Sequence, residues 1–189
     1  MMKHRLLVLG GAGYIGSHTV AELVDKGYDV VVADNLEKGH RQSVHPKAAF
    51  REGDIRDPAF MDALLSEFAV DCIIHFAAYS LVGESVQDPL KYYDNNVGGT
   101  RAALTAMAKH GVKNIVFSSS ATVYSGGNEM PLRESSATGM CSNPYGWTKF
   151  MIERFLFDQA AANPDWSAVL LRYFNPVGAH ESGRIGENP

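Results

Sequence analysis

Tyr145 and Lys149 stand four residues apart in the run Ser142-Asn-Pro-Tyr-Gly-Trp-Thr-Lys149. On a helix, residues at i and i+4 share a face with their Cβ atoms roughly 5 to 6 Å apart, so the ammonium can bias the phenol toward phenolate. A phenolate can take a proton from a hydroxyl. Bringing a phenol from its free pKa near 10 to neutrality requires about 4 kcal/mol, which an ammonium and a second cation on a bound cofactor can supply together in a dry site. Upstream, Ser118-Ser-Ser120 offers hydroxyls that can hydrogen-bond the reacting oxygen. A Tyr-x-x-x-Lys match alone is commonplace. Its weight here comes from a glycine-rich run far upstream, Gly10-Gly-Ala-Gly13-Tyr-Ile-Gly16.

These residues need a scaffold that brings them to one place. Short, mostly apolar runs predict strands over Arg5–Leu9, Asp29–Asp34, Ala48–Glu52, Asp71–Ala77, Asn114–Ser119 and Ser167–Tyr173. Helices are predicted between most of them. Tyr14–Lys26 stops at Gly27, Asp57–Phe68 opens on Asp-Pro, a long helix runs from Asp88-Pro89 to about His110 before Gly111, and a fourth opens at Asn143-Pro144. The alternation predicts an α/β fold, a doubly wound parallel sheet of Rossmann type. The stretch Ser125–Cys141 is long for a connection and is a candidate functional loop.

In such a sheet, ligands bind beyond the carboxyl ends of the strands. A strand ending at Leu9, glycines at 10, 13 and 16 and a helix from Tyr14 place backbone N–H groups where a pyrophosphate can sit. Asp34 closes the next strand 21 residues after Gly13, where its carboxylate can accept both hydroxyls of an adenine ribose. It would repel a 2′-phosphate, so NAD is expected over NADP, although Lys38 and Arg41 are close by in sequence.

The rest of the composition narrows the class. At 189 residues, 46% hydrophobic and 20% charged, the chain suits one well-buried core. A net charge of −4 without like-charge blocks argues against nucleic-acid or membrane partners. The apolar stretch Leu6–Leu9 is too short for a signal segment or a membrane span, which favours a cytoplasmic setting. Cys72 and Cys141 lie in no Cys-x-x-Cys pair and are expected as reduced thiols; the seven histidines are scattered, and no metal is expected.

Further motifs carry a resemblance. Asp34-Asn35, Gly53-Asp-Ile55, His75-Phe-Ala77, Val82-Gly-Glu-Ser85, Tyr92-Tyr-Asp-Asn-Asn96, Ser118-Ser-Ser-Ala-Thr-Val-Tyr124, Tyr145-Gly-x-x-Lys149 and Leu171-Arg-Tyr-Phe-Asn-Pro-Val-Gly-Ala-His180 join the glycine turn. Over essentially its whole length the chain resembles the UDP-glucose 4-epimerase family of extended short-chain dehydrogenases/reductases.

The resemblance implies inversion at C4 of a UDP-sugar, UDP-galactose to UDP-glucose and back, through transient oxidation by tightly held NAD. Tyr145 would remove the proton of the 4-hydroxyl, Ser120 would hydrogen-bond the reacting oxygen, and Lys149 would hold the nicotinamide ribose and tune Tyr145. Cofactor contacts are implied at Gly10, Gly13, Tyr14, Ile15 and Gly16, at Asp34, Asn35, Leu36, Glu37, Lys38 and Gly39, at Asp54 and Ile55 near the adenine, at Phe76, Ala77, Ala78, Tyr79 and Ser80, and at Asn95 and Phe174, besides Tyr145 and Lys149. Substrate contacts are implied at Ser120, Thr122, Tyr145 and Asn175, and a homodimer is suggested. The implied domains are residues 1–176 for NAD and 177–189 as the start of a truncated substrate-binding domain, since family members continue past this point.

Three positions depart from the family pattern. Ser80 stands where a lysine is usual, Leu9 where threonine is, and Ser125 where glycine is. A nucleotide-sugar dehydratase or decarboxylase would share fold and trio, but a dehydratase wants an acid and a base where this chain has Ala121 and Thr122. A simple dehydrogenase and an NAD-binding module without activity are the other readings.

Overall fold

The computed structural model describes residues 4–187. Six parallel strands form one sheet in the order β3-β2-β1-β4-β5-β6, with β1 Arg5–Leu9, β2 Asp29–Asp34, β3 Ala49–Glu52, β4 Cys72–His75, β5 Asn114–Ser120 and β6 Ser167–Tyr173. This is the expected doubly wound α/β sheet. Because β1 lies between β2 and β4, the chain reverses its winding direction there, and a crevice opens at the carboxyl end of β1. Strand β4 is shorter than expected because the N–H groups of Phe76 and Ala77 both turn to the carbonyl of Leu9 as the chain leaves the sheet.

Alternation along β1 divides the core. Leu7 and Leu9 pack with Met61, Leu64, Met107, Ile152 and Leu156 on one face. Val8 packs with Val20, Val30 and Val32 on the other. Helix α1, Tyr14–Asp25, covers the second face, while α2 Pro58–Glu67, α5 Gly99–His110 and α6 Pro144–Ala162 cover the first. Three helices start as their sequences require. The side chains of Asp57, Asp88 and Asn143 accept from the backbone N–H groups of Ala59, Lys91 and Gly146, each with a proline at the first turn.

One helix differs from its expectation. Instead of running unbroken from Asp88 to His110, the chain forms α4 Pro89–Tyr92, a π-helical segment Tyr93–Gly98 and then α5. Interactions of Asn96 account for the wider turn. Its side chain donates to the carbonyl of Tyr79 and to Thr148 Oγ1 and accepts from the N–H of Tyr79, while its own carbonyl takes the Thr100 hydroxyl at 2.6 Å. A short helix α3, Val82–Gln87, also lies in a stretch with no predicted element.

The two arms of the loop over 125–141 are tied together. Tyr124 bridges Thr138, and Asn128 donates to the carbonyls of Ser125 and Ala137 and accepts from the N–H of Ala137. After β6 the described chain has no further helix or strand, and Tyr14 donates to the carbonyl of Gly178 at 2.6 Å.

The approach of α1 to β1 is the tightest constraint near the crevice. A Cβ on Gly16 would lie 2.1 Å from the Gly10 carbonyl oxygen. Gly16→Ala should therefore cost about 3 kcal/mol or more through backbone overlap that cannot relax cheaply, read as a lowered midpoint in urea.

Candidate functional site

Two cavities meet at the carboxyl ends of β1, β2, β4 and β5. The first is lined by Gly10, Gly13, Asp34, Asn35, Glu37, Lys38, Gly39, Asp54, Ile55, Phe76, Ala77, Ala78, Tyr79 and Asn95. The second, about 540 Å³, is lined by Gly10, Gly13, Tyr14, Ile15, Gly16, Lys38, Phe76, Ala78, Ser80, Ser120, Thr122, Tyr145, Lys149, Phe174 and Asn175. Five of these residues, Gly10, Gly13, Lys38, Phe76 and Ala78, line both, so the two spaces suit one elongated ligand. Of the expected site residues only Leu36 lies on neither wall. Its side chain packs against the apolar cluster over α1, and its backbone, at φ 58°, donates to Asp34.

The turn after β1 fits a dinucleotide. A Cβ on Gly13 would meet nothing nearer than the Gly10 carbonyl oxygen at 3.5 Å, so the space above this residue belongs to the crevice rather than to packed protein. Asp34 is buried and holds the turn. One carboxylate oxygen takes the Ala12 N–H at 3.0 Å and the other the Leu36 N–H at 2.8 Å. Each oxygen keeps a lone pair that a ribose hydroxyl can use. Farther out, the Tyr79 hydroxyl donates to Glu37 at 2.5 Å, and burial followed by that bond pushes the phenol up to about 12. Arg56 pairs with Asp54 and holds its carboxyl below the usual range.

Helix α6 supplies the reactive pair. Asn143 caps its first turn, so Tyr145 and Lys149 enter the crevice at the end of the helix nearest β5. Lys149 is buried, donates to the Ser118 carbonyl at 2.7 Å, and has its ammonium 5.8 Å from the centre of the Tyr145 ring. The Ser120 oxygen accepts from the N–H of Thr122 at 3.2 Å and from its hydroxyl at 3.0 Å. That leaves the Ser120 proton free to be donated into the cavity that Ser120 shares with Tyr145.

The electrostatics correct one expectation. The spacing predicts an ammonium that pulls the phenol down, whereas burial pushes Tyr145 up, opposed by the hydrogen bond from Ser120. Burial also pulls Lys149 down to about 7, so its charge is only partly held at neutrality. Withdrawal of both groups from water outweighs their proximity. His75, beneath them, is pushed down to about 3 by burial first and Lys149 second, and stays neutral. Because Thr100 donates to the Asn96 carbonyl, His75 Nε2 must donate to Thr100 Oγ1; its Nδ1 is buried with no hydrogen-bond partner among the described residues.

Sequence reasoning missed several contributors. His40, Ser43 and Val82 line the second cavity, Asn96 and Thr148 join the segment after β4 to α6, and Glu153 with Arg172 sits fully paired behind the trio. Only Glu153, one further i+4 step along the face of Tyr145 and Lys149, had a readable signal. Both cysteines are free, and the described residues contain no cluster able to hold a metal and no helix long and apolar enough to cross a membrane.

Lys149 makes stability depend on pH in a definite direction. Its pKa is lower in the fold than in the unfolded chain, so between pH 7 and 10 the unfolded state binds more protons, and stability attributable to this residue rises with pH. Relative to Lys149→Met, the wild-type chain should gain on the order of a few kcal/mol from pH 7 to 10 in urea denaturation, without further change below that window.

Comparison with known proteins agrees with the geometry. Residues 6–187 match the model of the NAD dependent epimerase/dehydratase family. The UDP-glucose 4-epimerase of Haemophilus influenzae is 51% identical over 97% of this chain and 56% of its own length, and that of Mus musculus is 50% identical over 98% and 57%. The crystal structure of UDP-glucose 4-epimerase from Bifidobacterium longum in complex with NAD+ and UDP superposes with a TM-score of 0.94 at 48% identity, covering 98% of this chain and 57% of that one. The chain thus spans a little over half the length of these relatives. Matched along nearly its whole length, it belongs to the NAD dependent epimerase/dehydratase family.

Proposed function

We propose that this chain is the cofactor-binding and proton-transferring part of a UDP-glucose 4-epimerase, interconverting UDP-galactose and UDP-glucose. The observation that carries the reading is that Ser120, Tyr145 and Lys149 line the same cavity as the glycine turn after β1. The likeness to epimerases over 97% and 98% of this chain supports the substrate class. NAD, bound along the two cavities, supplies a hydride acceptor and donor at C4 of the sugar.

The chain's own residues do the rest. Tyr145 takes the proton of the 4-hydroxyl and returns it after the sugar has presented its other face. Ser120, its oxygen held by the two bonds from Thr122, donates its one proton to the same sugar oxygen. Lys149, buried and on the wall of the same cavity, lies within reach to hold the nicotinamide ribose. Asp34 accepts the adenine-ribose hydroxyls and disfavours a 2′-phosphate; Asn35, Glu37, Lys38 and Gly39 follow it along the first cavity, with Asp54 and Ile55 by the adenine. Asn175 meets the diphosphate, beside Phe174. Thr122 already bonds to Ser120, and neither it nor Ala121 is the acid or base that a dehydratase would place there. The same reading assigns residues 1–176 to the NAD-binding domain and 177–189 to the start of a substrate-binding domain, and puts the protein in the cytoplasm as a homodimer.

Turnover of UDP-galactose, assayed together with bound NAD released by denaturation, tests the proposal. Tyr145→Phe should lose about 10³-fold in turnover and Ser120→Ala about 10²-fold, with NAD content unchanged. Full turnover in Tyr145→Phe would overturn the proton-transfer role. Gly13→Ala should keep its stability within about 1 kcal/mol yet bind NAD roughly tenfold more weakly by equilibrium dialysis, because the methyl enters the crevice instead of the core.

A further inference from the structure

Glu153 is a buried carboxylate that the proposed chemistry does not use. It is 2% exposed and takes three hydrogen bonds, from Ser119 Oγ at 2.5 Å, Arg172 Nε at 2.9 Å and Arg172 Nη2 at 2.8 Å. It stands at i+8 from Tyr145 and i+4 from Lys149, so the three side chains share one face of α6. Two of them engage the run of serines that ends β5, and the third lines a cavity with its last member. Lys149 holds the Ser118 carbonyl and Glu153 the Ser119 hydroxyl, while Tyr145 and Ser120 line the same cavity. In the sheet Ser119 is paired with Arg172 and Ser120 with Tyr173, so the Glu153 contact sits one residue before the end of both strands.

A buried ion pair adds little to stability against well-packed apolar side chains, but a two-pronged bond fixes both translation and rotation where apolar surfaces can slide. We propose that Glu153, clamped by Arg172 and Ser119, is a positioning residue that locks α6 in register against β5 and β6 and so sets the Ser120 hydroxyl against the Tyr145 phenol. The consequence for turnover rests on the epimerase reading; the geometry does not.

The test uses the full chain labelled with ¹³C at Cζ of tyrosine, at neutral pH, with the Tyr145 resonance assigned by its loss in Tyr145→Phe. Ser120→Ala defines the shift caused by losing the serine hydroxyl. Glu153→Met with Arg172→Leu removes the clamp and leaves net charge unchanged. The expected result is a folded double variant whose Tyr145 resonance moves at least halfway to the Ser120→Ala position. Should that variant not fold, Arg172→Lys, which keeps the charge and loses the fork, should move the resonance part of the way. A resonance that stays at the wild-type position in the folded clamp variant, or one that Ser120→Ala itself leaves unmoved, overturns the proposal. Absence of epimerase turnover in the wild-type chain would count against the functional reading and leave the resonance test intact.

Discussion

The carboxylate of Asp34 is the interaction on which the crevice depends. It comes from the end of β2, yet its two backbone bonds reach Ala12 in the turn after β1 and Leu36 in its own exit. The turn Gly10-Gly-Ala-Gly13 has no polar side chain of its own with which to hold a shape. Its geometry is imposed from below by the Gly16 contact and from the side by this carboxylate. Because both oxygens are engaged from the protein side only once, the same group that builds the site can also be read by a ligand.

Much of the scaffold was legible because it depends on local chemistry. Strands β1, β2 and β6 fall where their apolar runs place them, and the Asp57, Asp88 and Asn143 caps start their helices where the following prolines indicate. What escaped depends on partners far away in sequence. Nothing in Tyr93–Gly98 announces a π turn, since it follows from bonds between Asn96 and residues 79 and 148. Likewise, Leu36 stands in a run of crevice residues and yet faces the core, because its positive φ turns the side chain away.

The reactive pair shows how burial reverses a reading from spacing. Four residues on a helix bring phenol and ammonium near each other, which in water would favour the charged forms. Inside the fold, both lose hydration, and each is driven toward its neutral form. Against burial, the Ser120 side chain is what lowers the Tyr145 phenol, so the serine bears on the tyrosine as well as on any substrate.

The π segment carries a consequence for how this chain tolerates change in length. A wider turn amounts to one residue more than an α-helix needs over the same rise. Deleting a single residue between 93 and 98 would let α4 and α5 fuse into one regular rod, with better backbone geometry than the present arrangement. The flanks would keep their relative orientation, since the wide turn adds a residue without adding rise, but the residues of the turn itself would lose the extra room that directs them inward. Asn95 and Asn96 would then swing out of line with the cavity wall and with Tyr79. Here a more regular helix would be a worse one, and the number of residues matters independently of which residues they are.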